Sequence, residues 1–139
     1  MLSDSKNNEG KIYEIDMRLR PSGNSGPIAT SIDSFEEYHN QSSWVWEKMA
    51  LTRAKPIAGD KRIISNLNNL IKKILSKKIP PKILIKDILN MREKIKKEQI
   101  INKWKVKNSN GGLMDIQFIS QYLQLLNSTN NMEIFNQKT

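Results

Sequence analysis

Residues 11–27 read KIYEIDMRLRPSGNSGP, an alternating stretch that runs into a turn rich in glycine and serine. Successive side chains of a β-strand point to opposite faces of the sheet. One face of the predicted strand, residues 11–20, holds the apolar side chains of Tyr13, Ile15, Met17 and Leu19. The other face holds the charged side chains of Glu14, Asp16, Arg18 and Arg20. The pattern therefore predicts a half-buried strand.

The charged face of this strand is compatible with two interpretations. Asp16 is a candidate metal ligand, and Arg18 and Arg20 are suited to clamp phosphate oxygens, because a guanidinium donates paired hydrogen bonds and stays charged. The loop that follows could present backbone N–H groups to an anion, and its candidate residues are Ser22, Gly23, Ser25 and Gly26. The alternative is a ladder of salt bridges on the exposed face of an ordinary strand.

A metal site on this strand is incomplete. Magnesium sites for phosphoryl transfer usually combine two or three carboxylates with the phosphates themselves. Strand spacing separates Glu14 from Asp16 by about 7 Å, and the chain contains no Asp-x-Asp pair. Asp16 is thus the one metal ligand that the pattern predicts.

The segment up to residue 60 predicts a short helix and a second strand. Ser31 or Asp33 can cap a helix over about 33–42, and one or two further helical turns follow. A strand over 51–57 comes next, with its proline at an edge or an end. Arg53 and Lys55 alternate on this strand and could add positive charge to the phosphate pocket, or could lie on a solvated strand face.

Aromatic residues of this segment also have two interpretations. Trp44 and Trp46, together with Tyr38, could stack against a nucleotide base, or they could belong to the core, as aromatic residues at such spacing usually do. The single histidine, His39, lies on a polar helix face and is predicted to be a surface residue.

From residue 61 onward the apolar spacing becomes helical. It predicts a helix from residue 61 to about 75, a break at the two prolines 80–81, and a second helix through residues 84–95. A short strand is predicted at 103–107. A third helix over 112–126 is predicted to face the core with Ile116, Ile119, Tyr122, Leu123 and Leu126.

The predicted organisation is α+β, with a partial sheet followed by a helical bundle. Its parts are a disordered N-terminus at 1–10, a sheet-containing core at 11–60, a helical region at 61–126 and a loose tail at 127–139.

In the loop before the third helix, Gly111 and Gly112 precede Asp115. They predict either a helix start that faces an anion or a tight turn followed by an acid that favours the helix dipole.

The net charge of +9 suggests a nucleic-acid partner, but its distribution weakens that interpretation. Residues 60–107 hold 15 Lys and Arg against 4 Asp and Glu, whereas the rest of the chain is slightly acidic. Three of the five arginines, which are preferred for specific base contacts, lie outside the basic block. A basic nucleic-acid- or anion-binding module through 60–107 is kept as an alternative.

Several classes of protein are excluded by composition. The chain has no cysteine, which removes disulfides and thiolate metal sites. It has no apolar run long enough to cross a membrane and no secretory signal at its N-terminus. The predicted location is the cytoplasm.

Three longer blocks resemble the glutamine synthetase adenylyltransferase family. They read YEIDMRLRPSGNSGPIATS, SSWVWEKMALTRAKPIAGD and GGLMDIQFISQYL, in the order of the family, and cover about 11–60 and 104–126. In the basic middle, Asp87, Met91 and Arg92 are in register with the family. The glycine loop, the W-x-W-E pair at 44–47 and GGLMDI look more like the C-terminal, adenylylating domain of these bifunctional enzymes.

The resemblance implies a mixed-sheet nucleotidyltransferase core followed by a helical bundle. It also implies Mg²⁺, ATP as substrate, and transfer of AMP to a tyrosine of glutamine synthetase. In the family three carboxylates hold the metals, and the third corresponds to Asp16. Arg18 and Arg20 would lie in the active site, with the 22–26 loop beside it.

The chain departs from the family in its catalytic parts. The segment with the first two carboxylates, G-S-D-x-D, is absent, because the chain begins about where the third strand would. The helical portion after about 126 is also missing, and Gln117 stands where the family usually has Glu. The chain alone is therefore predicted to be inactive. Either an upstream partner chain from a split gene supplies the missing carboxylates, or the chain is a decaying remnant.

Overall fold

The computed structural model describes residues 16–17, 19–98 and 106–135. The described parts of the chain hold five α-helices and no β-strand. The helices are α1 (Ile32–Gln41), α2 (Val45–Leu51), α3 (Lys61–Leu75), α4 (Pro81–Glu98) and α5 (Leu113–Asn127). Short 3-10 turns cover Gly23–Ser25 and Met132–Phe135. The prediction of an α+β fold with a nucleotidyltransferase sheet is therefore wrong.

The backbone at the predicted strands bonds locally. Near the end of the first, the N–H of Arg20 donates to the Met17 carbonyl at 3.3 Å, which is a turn and not an extended strand. At the second, α2 continues to Leu51, and the Ala54 N–H donates back to the Leu51 carbonyl at 3.0 Å. Residues 11–15, 18 and 103–105 lie outside the described residues. A strand requires a neighbour for its N–H and C=O groups, and the described residues supply none.

Local capping explains where the first two helices begin. The Ser31 hydroxyl accepts the Ser34 N–H at 3.1 Å and caps α1. The Trp44 N–H donates to the Glu47 carboxylate at 2.7 Å, which is one half of a capping box at the start of α2. The predicted helix at 33–42 is confirmed to within one residue at each end.

Capping and proline chemistry also delimit α3 and α4. The Asp60 side chain accepts the Arg62 N–H at 2.8 Å and caps α3. α3 ends at Leu75, before the two prolines, and Pro81 is the first residue of α4. Proline is well tolerated at that position, because the first helical N–H has no partner within the helix. The predicted helices of this region are confirmed.

The core lies where α2 to α5 meet. Its buried apolar side chains are Met49, Ile71, Leu75, Leu84, Ile88, Phe118 and Leu125. α2 contacts α3, α4 and α5, so the short helix lies at the centre of the packing. α1 packs on α3, and Lys73 reaches across to pair with Glu36 at 2.8 Å. Lys77 makes a similar contact with the side chain of Asn40.

α5 confirms the predicted helix but not all of its predicted core face. The buried residues of α5 are Phe118, Gln121 and Leu125. Ile116, Ile119 and Leu123 are exposed, so the prediction is wrong for these three residues. Both sides of α5 are apolar, and hydrophobic spacing alone therefore could not indicate which side packs on α2 and α4.

Candidate functional site

The segment predicted to carry the catalytic residues forms a compact turn before α1. Asp16 is exposed, Arg18 lies outside the described residues, and Arg20 is half-buried. The Arg20 guanidinium donates three hydrogen bonds to backbone carbonyls, those of Met17 (3.0 Å), Gly26 (3.2 Å) and Asn24 (3.4 Å). Arg20 therefore stabilises the conformation of the glycine loop through these hydrogen bonds.

The glycine loop satisfies several of its own N–H groups. Gly23 donates to the Arg20 carbonyl at 2.8 Å, Ser25 to Ser22 at 3.2 Å, and Gly26 to Gly23 at 3.2 Å. Position 26 requires glycine, because a Cβ atom there would lie 2.0 Å from the Pro21 carbonyl oxygen. Ser22, Gly23, Ser25 and Gly26 thus share one tight turn, and whether they contact a phosphate stays a prediction.

The Tyr38 hydroxyl lies between the turn and the buried carboxylate of Glu47. The Tyr38 hydroxyl donates to Glu47 at 2.7 Å, and the Ser22 backbone also bonds to that hydroxyl. Burial and then the bond to Glu47 raise the pKa of Tyr38, with the Ser22 backbone opposing them. Glu47 is itself buried and also caps α2, so this side chain joins α1 and α2.

Arg53 lies in a cavity of about 410 Å³ that combines polar and apolar groups. The polar side chains lining it are His39, Glu47, Arg53, Gln117 and Gln121. Leu19 of the predicted catalytic segment lies on the same wall. Lys55, the other cation predicted for the phosphate pocket, lines a different cavity between α1 and α3. The structure therefore brings Arg53 near the 16–26 segment and places Lys55 elsewhere.

His39 is the clearest residue that sequence reasoning misplaced. It was predicted to be a surface residue, but only 3% of it is exposed. Its ring packs against Phe35 and Tyr38, and its Nδ1 atom has no hydrogen-bond partner among the residues that the structure describes. Burial lowers the pKa of His39, opposed by the nearby Glu47 carboxylate, so the side chain is favoured in its neutral form.

The loop before α5 is held by an ion pair between Arg92 of α4 and Asp115 of α5. Asp115 also accepts the Gly111 N–H at 2.7 Å, and Arg92 donates to the carbonyls of Asn108 and Ser109. Arg92 lowers the pKa of Asp115 most, and the Gly111 N–H adds to this effect. Of the two interpretations of this loop, the structure supports the tight turn followed by a helix-start acid.

Trp44 and Trp46 line a small cavity of about 210 Å³ together with residues of α4. Tyr38 is not among the described residues that line this cavity, and its hydroxyl donates to Glu47. The proposed stack of all three aromatic residues on one base therefore has no common cavity. Trp44 is exposed, and Met91 and Lys94 of α4 line the same cavity.

A metal site does not form from the described residues by themselves. Among residues 16–17, 19–98 and 106–135, no three His, Cys, Asp or Glu side chains cluster closely enough to hold a metal ion. Asp16 could contribute one ligand, as its position in the sequence predicts. None of the helices in these ranges is both long and apolar enough to cross a membrane.

Comparison with known proteins assigns the chain to a family. A family model described as glutamate-ammonia ligase adenylyltransferase matches residues 2–70. Over 119 residues, 85% of this chain, the sequence is 48% identical to the bifunctional glutamine synthetase adenylyltransferase/adenylyl-removing enzyme of Agrobacterium fabrum. The chain belongs to the glutamate-ammonia ligase adenylyltransferase family.

Other members of the family align over nearly the whole chain. The enzyme of the same description from Brucella suis is 44% identical over 84% of the chain, and that from Bradyrhizobium diazoefficiens is 38% identical over 97%. The chain spans 12% to 14% of the length of these relatives. The suspected resemblance is confirmed, and it extends through the basic helices that the three motif blocks left uncovered.

Sequence reasoning also missed the grouping of polar residues around Arg53. His39 is on α1, Glu47 on α2, and Gln117 and Gln121 on α5, so up to 82 positions separate members of the same cavity. No local pattern marks them as a group. The one available signal was the position of Gln117, where the family resemblance implies a carboxylate.

Proposed function

We propose that this chain is part of an adenylyltransferase that transfers AMP from ATP to a tyrosine hydroxyl of glutamine synthetase. The observation that carries the proposal is the identity of 38% to 48% with enzymes of that description over 84% to 97% of the chain. The similarity spans both the 16–26 segment and all five helices, so it reflects more than a shared helical packing.

The proposed chemistry requires a metal ion, and the described residues do not form a complete site for one. When bound, Mg²⁺ would neutralise the phosphate charge that builds up in phosphoryl-type transfer. Of the described residues, Asp16 is the proposed ligand, and no cluster of three ligand side chains accompanies it. We therefore propose that the other carboxylates lie outside the described residues, and that the described residues do not transfer AMP by themselves.

Arg18 and Arg20 are proposed to lie beside the reacting phosphates. Arg20 already donates to three carbonyls of the glycine loop, so its main task is to position that loop. A guanidinium has five N–H donors, which leaves two for a substrate oxygen. Arg53, in the cavity next to Leu19, is proposed to add positive charge on the same side.

A reconstitution experiment tests the proposal. The Agrobacterium fabrum enzyme is prepared without the segment homologous to this chain, and AMP transfer from labelled ATP to glutamine synthetase is measured with Mg²⁺. We expect no transfer by either polypeptide alone and measurable transfer by the mixture. Asp16→Asn should reduce that transfer at least about 100-fold, because a metal ligand is lost.

Asp33→Asn is the matched control, since Asp33 is an exposed acid in the first turn of α1. It should change the restored activity less than about twofold. A mixture in which Asp16→Asn works as well as the unaltered chain would refute the role of Asp16. A mixture that never transfers AMP, although the two polypeptides bind, would support the remnant interpretation instead.

A further inference from the structure

α5 presents an apolar surface on the side that faces away from the core. Its four outward-facing apolar residues, Leu113, Ile116, Ile119 and Leu123, are between 50% and 61% exposed. Asp115 is the one charged residue of the helix, and it is paired with Arg92. A helix that is apolar on both sides is normally buried on both sides. The outer side of α5 is therefore expected to be covered by another polypeptide surface.

The exposed side of α5 forms one wall of a groove. α4 forms the other wall with Ile85 and Leu89, and the floor includes Ile88, Phe118 and Tyr122. The groove has a volume of about 690 Å³. On each wall the apolar residues are four positions apart, Ile85 with Leu89 and Ile119 with Leu123. Two parallel apolar rows of this kind fit the apolar stripe of one amphipathic helix.

The charged residues next to the groove indicate which kind of partner would bind there. Lys96 lines the groove, and the exposed Lys82 and Lys86 each come three residues before a wall residue, Ile85 and Leu89, which is about one helical turn. The two carboxylates among the described residues that line the groove, Glu93 and Asp115, both lie near Arg92. A second copy of the chain would also carry a net charge of +9, so the two copies would repel each other. A partner with carboxylates next to its apolar stripe is favoured by the opposite charge.

We propose that this groove binds one amphipathic α-helix of a second polypeptide, with Asp or Glu residues flanking its apolar stripe. The apolar side chains of the groove are exposed whichever reaction the chain takes part in. The inference is therefore independent of the proposed function. Apolar burial along Ile119 and Leu123 provides the affinity, and the lysines of the rim select an acidic helix over a basic one.

Two synthetic peptides test the proposal with the full chain. Both are 18-residue helix formers with the same leucine stripe, and the flanking positions are glutamate in one peptide and lysine in the other. Binding is measured by fluorescence anisotropy of the labelled peptides. We expect the glutamate peptide to bind at least about tenfold more tightly than the lysine peptide, with a difference that shrinks as salt screens the charges.

Substitutions in the groove locate the binding site. Ile119→Asp should weaken binding of the glutamate peptide at least about tenfold, because a carboxylate would be buried against apolar groups. The milder Ile119→Ser should weaken it in the same direction, which keeps the test valid if the aspartate variant unfolds. Ile57→Asp, at a loop residue that is 93% exposed, is the control and should leave binding unchanged.

Three results would overturn the proposal. The first is failure of the glutamate peptide to bind, and the second is equal binding of both peptides, which would mean that charge selects neither. The third is a stable dimer of the chain in sedimentation that Ile119→Asp dissociates, which would mean that a second copy covers the groove.

Discussion

Replacement of Asp115 by asparagine tests whether the loop before α5 is held by charge. The change keeps the size of the side chain and an oxygen that can accept the Gly111 N–H, but it removes the negative charge beside Arg92. The Arg92 side chain is 13% exposed and that of Asp115 is 25% exposed. The substitution therefore leaves a mostly buried guanidinium without its counter-charge.

The expected loss of folding free energy lies between the value for an exposed ion pair and the value for a fully buried one. Exposed ion pairs contribute about 0 to 1 kcal/mol, whereas removal of one partner of a fully buried pair costs about 3 to 5 kcal/mol. Partial exposure and the retained Gly111 bond place Asp115→Asn at about 2 kcal/mol. With an unfolding entropy of about 2.1 cal/mol/K per residue over 139 residues, the melting temperature should fall by about 7 °C.

The effect should also depend on pH. Arg92, assisted by the Gly111 N–H, lowers the pKa of Asp115 below its ordinary value of 3.8. A lowered folded pKa gives stability that is present above pH 3.8 and is lost as the pH falls through the folded pKa. The difference between the unaltered chain and Asp115→Asn should therefore be full above about pH 5 and disappear in strong acid.

Thermal unfolding followed by circular dichroism measures both effects. Asp33→Asn is the control, because Asp33 is also a first-turn acid but is exposed at the start of α1. It should cost no more than about 0.5 kcal/mol. A drop of less than about 2 °C for Asp115→Asn, or the same drop at every pH, would show that the ion pair does not hold this loop.

Further predictions concern the glycine loop, the histidine and the core. Arg20→Met should speed amide hydrogen exchange of residues 22–26 at least about tenfold, because the side chain no longer bonds to the loop carbonyls. Burial lowers the pKa of His39, so its contribution to stability should be full above pH 6.5 and should fall as the pH drops below it, because the unfolded chain takes up the proton first. His39→Phe should remove that slope, measured by urea unfolding at each pH. Leu84→Ala should cost about 2 to 5 kcal/mol, because Leu84 is fully buried.

Each of these changes has a control in the same chain. Arg53→Met, at an exposed position, should leave exchange of the 22–26 loop unaltered. Leu89→Ala, in the same helix as Leu84 but exposed, should cost less than about 1 kcal/mol. Because His39 is the only histidine, a slope between pH 5 and 7.5 that survives His39→Phe would contradict the assignment.

The sequence alone determined the helices and their ends. Ser31 and Asp60 accept N–H groups at the starts of α1 and α3, and the prolines at 80–81 separate α3 from α4. These features act within a few residues, through caps, missing N–H groups and the helical spacing of apolar side chains. They are therefore visible in a linear reading. The family resemblance was visible for the same reason, since its motifs are contiguous blocks.

Only the tertiary structure decided which residues lie together and which faces are covered. Alternation at 11–20 and 51–57 suggested strands, but strand pairing depends on neighbours elsewhere in the chain, and the described residues bond locally instead. The pattern places His39 on a polar helix face, but the residue is buried, because its ring packs against Phe35 and Tyr38 and lies near Glu47 of α2. Likewise, α5 buries Phe118 and exposes Ile119, although both are apolar. Burial depends on what packs against a residue, and residues far apart in sequence supply those contacts.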